Sequence, residues 1–286
     1  LIINLIALVL VFTSIGLEAR NANRWLKIGP LSFQPAESMK LVFILYLAAW
    51  LSNTKIKRTT KFLEGFLPFG FISGLIAILL VLQPATSTVV ILLGSGLIVY
   101  ILDGAKLRYI LLIVLVGIIG VAIIIQMTPY RKARILSFFN KTEDVSGNNY
   151  QVSQALIAIG SGGLMGKGYG ESSQKVDFLP ASIDDSIFAI ISEELGFIGA
   201  GTVVMLFGML SFRMFYLAHR LRDNFGRLIL IGFGSVIAFQ SLMHMASISG
   251  MLPLTGVPLP FISYGGTALA VFLTMSGVAV NVSKYT

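Results

Sequence analysis

Two adjacent pairs of carboxylates are the groups in this chain best suited to do chemistry. The first is Asp184-Asp185, in Leu179-Pro180-Ala181-Ser182-Ile183-Asp184-Asp185-Ser186-Ile187-Phe188-Ala189, where a polar segment meets an apolar run. The second is Glu193-Glu194, in Ser192-Glu193-Glu194-Leu195-Gly196. If the chain from there to Phe212 is one helix, the second pair lies about two turns below Asp185, at roughly 1.5 Å per residue. Carboxylates beside a membrane helix are costly to desolvate, which makes them functional candidates by default. The spacing leaves a plainer alternative open: Asp184 caps the helix and Asp185 lies in its first turn, both favoured by the helix dipole.

Other polar residues stand out against the apolar background. Glu37 and Lys40 follow Gln34-Pro35-Ala36, and their i, i+3 spacing puts them on one helical face. An internal ion pair is the preferred reading. Arg24 beside Trp25 suits an interface anchor, with phosphate binding as the hypothesis. His244 stands alone on an apolar run, as a helix-packing polar residue. The run 160–170 carries Gly160, Gly162, Gly163, Gly166, Gly168 and Gly170. It is not a P-loop, because Ser161 and Gly168 stand where that motif needs Gly and Ser/Thr. Its glycines either let backbone approach a phosphate or permit a folded re-entrant loop, and the second is preferred. The run 252–267 packs three prolines and three glycines at a span entry. Irregular backbone there must be buried in protein or line a wet cavity.

The elements that must position these groups are membrane helices. The 286 residues are 56% hydrophobic and 12% charged, with mean hydropathy +0.86, against about 25% charged in a soluble domain. The expected fold is all-α: a polytopic helix bundle in one domain, 1–286. Apolar runs at 1–18, 35–52, 66–82, 85–102, 108–127, 186–212, 228–248 and 263–282 suit eight spans of about 20 residues. Gln83-Pro84 is expected to be a tight turn between two of them. The net charge of +8 is spread over connecting segments. It therefore reads as topology signal and lipid attraction, not as nucleic-acid binding. Lys55, Lys57, Arg58 and Lys61, then Arg213, Arg220, Arg222 and Arg227, put 53–65 and 213–227 in the cytoplasm with both ends. The long 128–185 loop then lies outside. The chain has no Cys, which excludes disulfides and thiolate chemistry. It starts at Leu1 within an apolar run, so a preceding portion is expected.

Several ordered motifs resemble one family. These are Arg24-Trp25, Gln34-Pro35-Ala36-Glu37 with Lys40, Gln83-Pro84, Gln154 through Gly163, Ile187-Phe188-Ala189 through Glu193-Glu194-Leu195-Gly196, and Pro258-Leu259-Pro260-Phe261-Ile262-Ser263-Tyr264-Gly265-Gly266. Together they resemble the SEDS family (shape, elongation, division and sporulation). Ser172, Gln174 and Lys175 before Phe178-Leu179-Pro180 look more like its FtsW-like division branch than the RodA-like elongation branch. Members have ten spans, so this chain would begin at the third.

The resemblance implies a peptidoglycan glycosyltransferase of the bacterial cytoplasmic membrane. Such an enzyme polymerises lipid II on the outer face, beside a class B penicillin-binding protein and other divisome proteins. It implies Asp185 as the general base. It also implies substrate-binding roles for Arg24, Gln34, Glu37, Lys40, Gln154, Gln174, Lys175, Asp184, Ser263 and Tyr264. No cofactor is evident, and a divalent cation such as Mg2+ is left open. Two positions depart from the family pattern. The usual Glu-x-His-Thr-Asp reads Ala181-Ser182-Ile183-Asp184-Asp185, and the usual Gln-Pro-Asp-Leu-Gly reads Gln83-Pro84-Ala85-Thr86-Ser87. A lipid II flippase and a non-catalytic division scaffold are the rival readings. Neither needs a base at the rim of a cavity.

Overall fold

The computed structural model describes residues 1–19, 22–52, 58–139, 148–174 and 184–285. The chain is mostly helical. In order it forms α1 (Ile2–Leu10), a ribbon of β1 (Gly16–Ala19), β2 (Ala22–Ile28) and β3 (Leu31–Phe33), then α2 (Pro35–Leu51), α3 (Leu67–Leu82), α4 (Thr86–Leu102), α5 (Leu107–Met127), α6 (Pro129–Phe139), α7 (Asn148–Ser161), α8 (Ile187–Arg220), α9 (Asn224–Ile248) and α10 (Gly266–Ser283). Among the described residues, five helical stretches are long and apolar enough to cross a membrane: Phe62–Leu82, Leu107–Met127, Ile187–Arg220, Asn224–Ile248 and Gly266–Ser283. The 17-residue α4 is apolar but shorter. None of the most apolar window of α5 is buried, so it offers that surface to lipid. The protein is a multipass membrane protein.

Two expectations change at the start of the chain. The apolar run 1–18 is not one helix. It stops at Leu10, and Thr13 turns its hydroxyl back onto the Leu10 carbonyl at 2.7 Å. Thr13, Ser14 and Gly16 favour such local bonds and turns over continued helix. The connection after it is a three-stranded antiparallel ribbon, Gly16 pairing with Leu26 and Leu26 with Phe33. Elsewhere most helix starts lie within a few residues of the apolar runs, but α8 continues to Arg220, through half of the 213–227 segment read as a loop, and α6 and α7 are helices within the long 128–185 segment. α2 begins at Pro35, which has no N–H to lose in a first turn. Gln83 and Pro84 form the turn between α3 and α4.

The described chain divides into two compact units: Leu1–Ile118 with Ser211–Phe239 and Gly266–Thr286, and Ile119–Leu210 with Gln240–Gly265. In the first, Lys40 donates to Glu37 Oε1 at 2.7 Å, with the two side chains 0% and 3% exposed. The Lys40 ammonium also lies 5.7 Å from the Phe272 ring centre. This is the internal pair that the i, i+3 spacing predicts. Losing one partner strands a buried charge, which costs about 3–5 kcal/mol, whereas replacing both with apolar groups is often neutral. Lys40→Met should therefore lower the melting temperature sharply in detergent, and Glu37→Met with Lys40→Met should recover most of it. A double variant as unstable as the single one would give the charges a role beyond each other.

Candidate functional site

The second unit holds both acidic pairs, and the Gly-rich run explains how the Glu193-Glu194 pair is set. α8 is broken at Gly196, where φ is 67° and ψ −165°. An unbroken helix would bond the Phe197 and Ile198 N–H groups to the Glu193 and Glu194 carbonyls. Here the run 163–168 takes both sides of that exchange. Lys167 N donates to Glu193 O at 3.0 Å and Gly168 N to Glu194 O at 3.0 Å. Phe197 N donates to Gly163 O at 2.9 Å and Ile198 N to Leu164 O at 3.3 Å. Four backbone groups freed by the break thus find partners in one loop, as a membrane setting demands. Only glycine fits at the contact. A Cβ on Gly166 would lie 2.1 Å from Glu194 O, and one on Gly196 2.3 Å from Gly166 N. The glycines serve a folded loop, the preferred reading.

Glu193 is fully buried inside this clasp. Its carboxylate accepts from Lys167 Nζ at 2.6 Å, Ser172 Oγ at 2.6 Å and Ser173 Oγ at 3.0 Å. A buried charge needs such partners. Glu193 is therefore a structural ion, and its partner Lys167 comes from the loop that mends the helix.

Asp184 and Asp185 lie in a turn just before α8 starts at Ile187, and no acidic residue occupies the first helical turn. That removes the reading of Asp185 as a first-turn residue. Both aspartates are half-buried. The turn is gripped on two sides. Gln151 on α7 donates from Nε2 to Ser186 Oγ at 2.9 Å. Ser263 Oγ donates to the Asp184 carbonyl at 2.7 Å while accepting from Leu259 N at 2.8 Å.

Facing Asp185 is the irregular segment 252–265. Gly256 has φ 61°, and a Cβ there would sit 3.7 Å from Asp185 Oδ2. That conformation is strained for any residue with a Cβ. The segment is tied to α9 by Gln240 Nε2 on Pro258 O at 2.9 Å and by His244 Nδ1 on Val257 O at 2.7 Å. Thr255 Oγ1 adds a bond to Ser247 Oγ at 3.1 Å. His244, a packing residue by sequence, makes its polar contact within this strap.

The remaining candidates are distributed as follows. Ser263 is buried at the turn, and Tyr264 beside it is 78% exposed. Gln154 lies half-buried on α7, one turn from Gln151. Gln174 is half-buried with Oε1 lacking a hydrogen-bond partner. Lys175 lies outside the described residues. In the first unit, Arg24 donates from Nε to Gln83 O at 2.9 Å and from Nη2 to Pro84 O at 2.8 Å. It therefore braces the Gln83-Pro84 turn. The Gln34 backbone N–H reaches Thr267 Oγ1 at 3.4 Å. The residues that sequence reasoning missed are Gln151, Gly256 and Gln240. Only the irregularity of 252–267 hinted at Gly256. Among the described residues, no three His, Cys, Asp or Glu side chains gather as a metal would need.

Comparisons with known proteins bear on the family and the fold. The sequence model of the cell cycle protein family of FtsW, RodA and SpoVE matches residues 1–286. Stage V sporulation protein E of Bacillus subtilis is 38% identical over 281 residues, 98% of this chain and 76% of that protein. A probable peptidoglycan glycosyltransferase FtsW of Buchnera aphidicola is 38% identical over 274 residues, 95% of this chain and 68% of that one. Among solved structures, a chain of a peptidoglycan synthase complex that coordinates polymerisation and crosslinking superposes with a TM-score of 0.79. It is 27% identical, and the match covers 99% of this chain and 79% of that one. The rod shape determining protein RodA of Thermus thermophilus gives 0.70 at 28% identity, over 99% of this chain and 75% of RodA. With a family match along its whole length, relatives this similar and the same helical fold, the chain belongs to the FtsW/RodA/SpoVE family, the SEDS proteins.

Proposed function

We propose that this chain is a peptidoglycan glycosyltransferase that polymerises lipid II into glycan strands at the outer face of the cytoplasmic membrane during cell division, with Asp185 as general base. The activity follows from the family and from relatives named as peptidoglycan glycosyltransferases. The observation that carries the residue assignment is the placement of Asp185. Its carboxylate lies in a turn outside the helix, half-buried, against a glycine of an irregular segment. Glu193 is fully buried and bonded to Lys167 and Ser172 as part of the loop that mends α8.

In the reaction, the 4-hydroxyl of a GlcNAc unit attacks the anomeric carbon of a MurNAc pyrophosphate. Asp185 takes the hydroxyl proton as the new C–O bond forms. The bond from the anomeric carbon to pyrophosphate breaks, and the lipid pyrophosphate departs with the electron pair. Positive charge from the outer loops would stabilise that departure. Lys175, which lies outside the described residues, is the first candidate. A flippase would line a headgroup path with intramembrane charges, and of Glu37, Lys40, Glu193 and Glu194 the first three are engaged in internal ion pairs. The division branch and a class B penicillin-binding protein as partner are supported by the FtsW relatives and the synthase complex.

Asp185→Asn should abolish polymerisation of lipid II by the purified full-length protein, by at least about 100-fold, while melting temperature and lipid II binding stay at the parent values. Near-parent polymerisation would refute the base assignment. The proposed orientation has the 128–185 loop outside and 213–227 inside. Single cysteines at Tyr169 and Arg222 test it in intact cells. A membrane-impermeant thiol reagent should label the first and spare the second, and the reverse pattern would invert the topology.

A further inference from the structure

Gln240, His244 and Ser247 are spaced i, i+4 and i+7 on α9, which puts them on one face. All three are buried, at 0%, 1% and 2% exposure. The face meets the strap at successive positions. Ser247 takes Thr255, His244 takes Val257 and Gln240 takes Pro258. Gly256 stands in the middle of these contacts, and it is the residue that meets the Asp185 carboxylate. The strap is neither helix nor strand, so its carbonyls have no ladder of their own. Its position is set by the α9 side chains and, at its far end, by Ser263 on Asp184.

We propose that His244, supported by Gln240, is a positioning residue for the glycosyl transfer. It fixes the strap through its bond to the Val257 carbonyl, and so fixes the wall that Asp185 faces. The inference rests on Asp185 as the base. It adds which residues beyond the reacting groups hold the geometry. The tautomer follows from the partner. A carbonyl only accepts, so Nδ1 carries the proton. Nε2 is buried with no hydrogen-bond partner. The side chain therefore works through one N–H only. Asn places an amide N–H at the same distance from the backbone as Nδ1 and should replace His244. Phe fills the space but leaves the Val257 carbonyl without its donor.

The test uses the purified full-length protein polymerising lipid II, with Asp185→Asn measured alongside. His244→Phe should lower kcat by roughly 10- to 100-fold, the scale of a small misplacement of reacting groups. KM should stay within about twofold and His244→Asn within about threefold of the parent, since one N–H restores the contact. Parent kcat in His244→Phe, equal losses in the Phe and Asn variants, or a loss confined to KM would each overturn the proposal. Should His244→Phe fail to fold, Gly256→Ala decides. Its methyl would enter the gap to Asp185 at a strained backbone, and it should lower kcat with KM held. Parent kcat in Gly256→Ala would overturn the proposal. An active Asp185→Asn protein would instead refute the base assignment, whatever the His244 variants do.

Discussion

Backbone polar groups at membrane depth must find partners within the protein, and the second unit is built around that demand. The break at Gly196 would leave two N–H and two C=O groups unmade. The loop 163–168 supplies all four partners, and the two glycines at the contact let the chains touch. Lys167 then brings its ammonium to Glu193, so the loop that mends the backbone also neutralises the buried carboxylate. α8 between Ile187 and Leu195 is anchored at its lower end by this clasp. Without it, the short helix carrying the Asp184-Asp185 turn would be held only at its upper end.

The upper end obeys the same rule with different parts. The segment 252–265 has three prolines and no regular ladder, so side chains from α9 do the pairing. Ser263 passes the connection on to the Asp184 carbonyl, and Gln151 on α7 reaches Ser186 beside it. The aspartate turn therefore sits between two repaired irregularities. A regular helix or strand would cover its own backbone and leave less freedom to shape a surface opposite Asp185. Irregular backbone held by side chains can present Gly256 there, with no side chain in the way.

Local features were legible in the sequence. The Glu37–Lys40 pair is three residues apart on one helix, and spacing alone put the two together. Gln83-Pro84 announced its turn because proline ends a helical ladder. The family motifs pointed to the family that the comparisons show. What spacing could not give were pairings between distant pieces of chain. Nothing near Glu193 in sequence identifies Lys167 as its partner. Nothing in the periodicity of α7 says that Gln151, not Gln154, reaches the aspartate turn. The ribbon at 16–33 was hidden because its strands are short, and apolar composition at 1–18 outweighed the weak helix formers Thr13, Ser14 and Gly16. Arg24 was read as a phosphate ligand or interface anchor. Its contacts to Gln83 and Pro84 lie 59 and 60 residues away, beyond any local pattern.

The central claim is that Asp185 takes the proton of the attacking sugar hydroxyl. The most direct measurement is an experimental structure of the full-length protein with a lipid-linked disaccharide acceptor and a non-reactive donor analogue bound together. The account predicts the acceptor 4-hydroxyl within roughly 2.6–3.2 Å of an Asp185 carboxylate oxygen, directly or through one water. The donor's anomeric carbon should lie in line beyond that hydroxyl. An acceptor hydroxyl bound against another carboxylate, with Asp185 facing only protein, would contradict it.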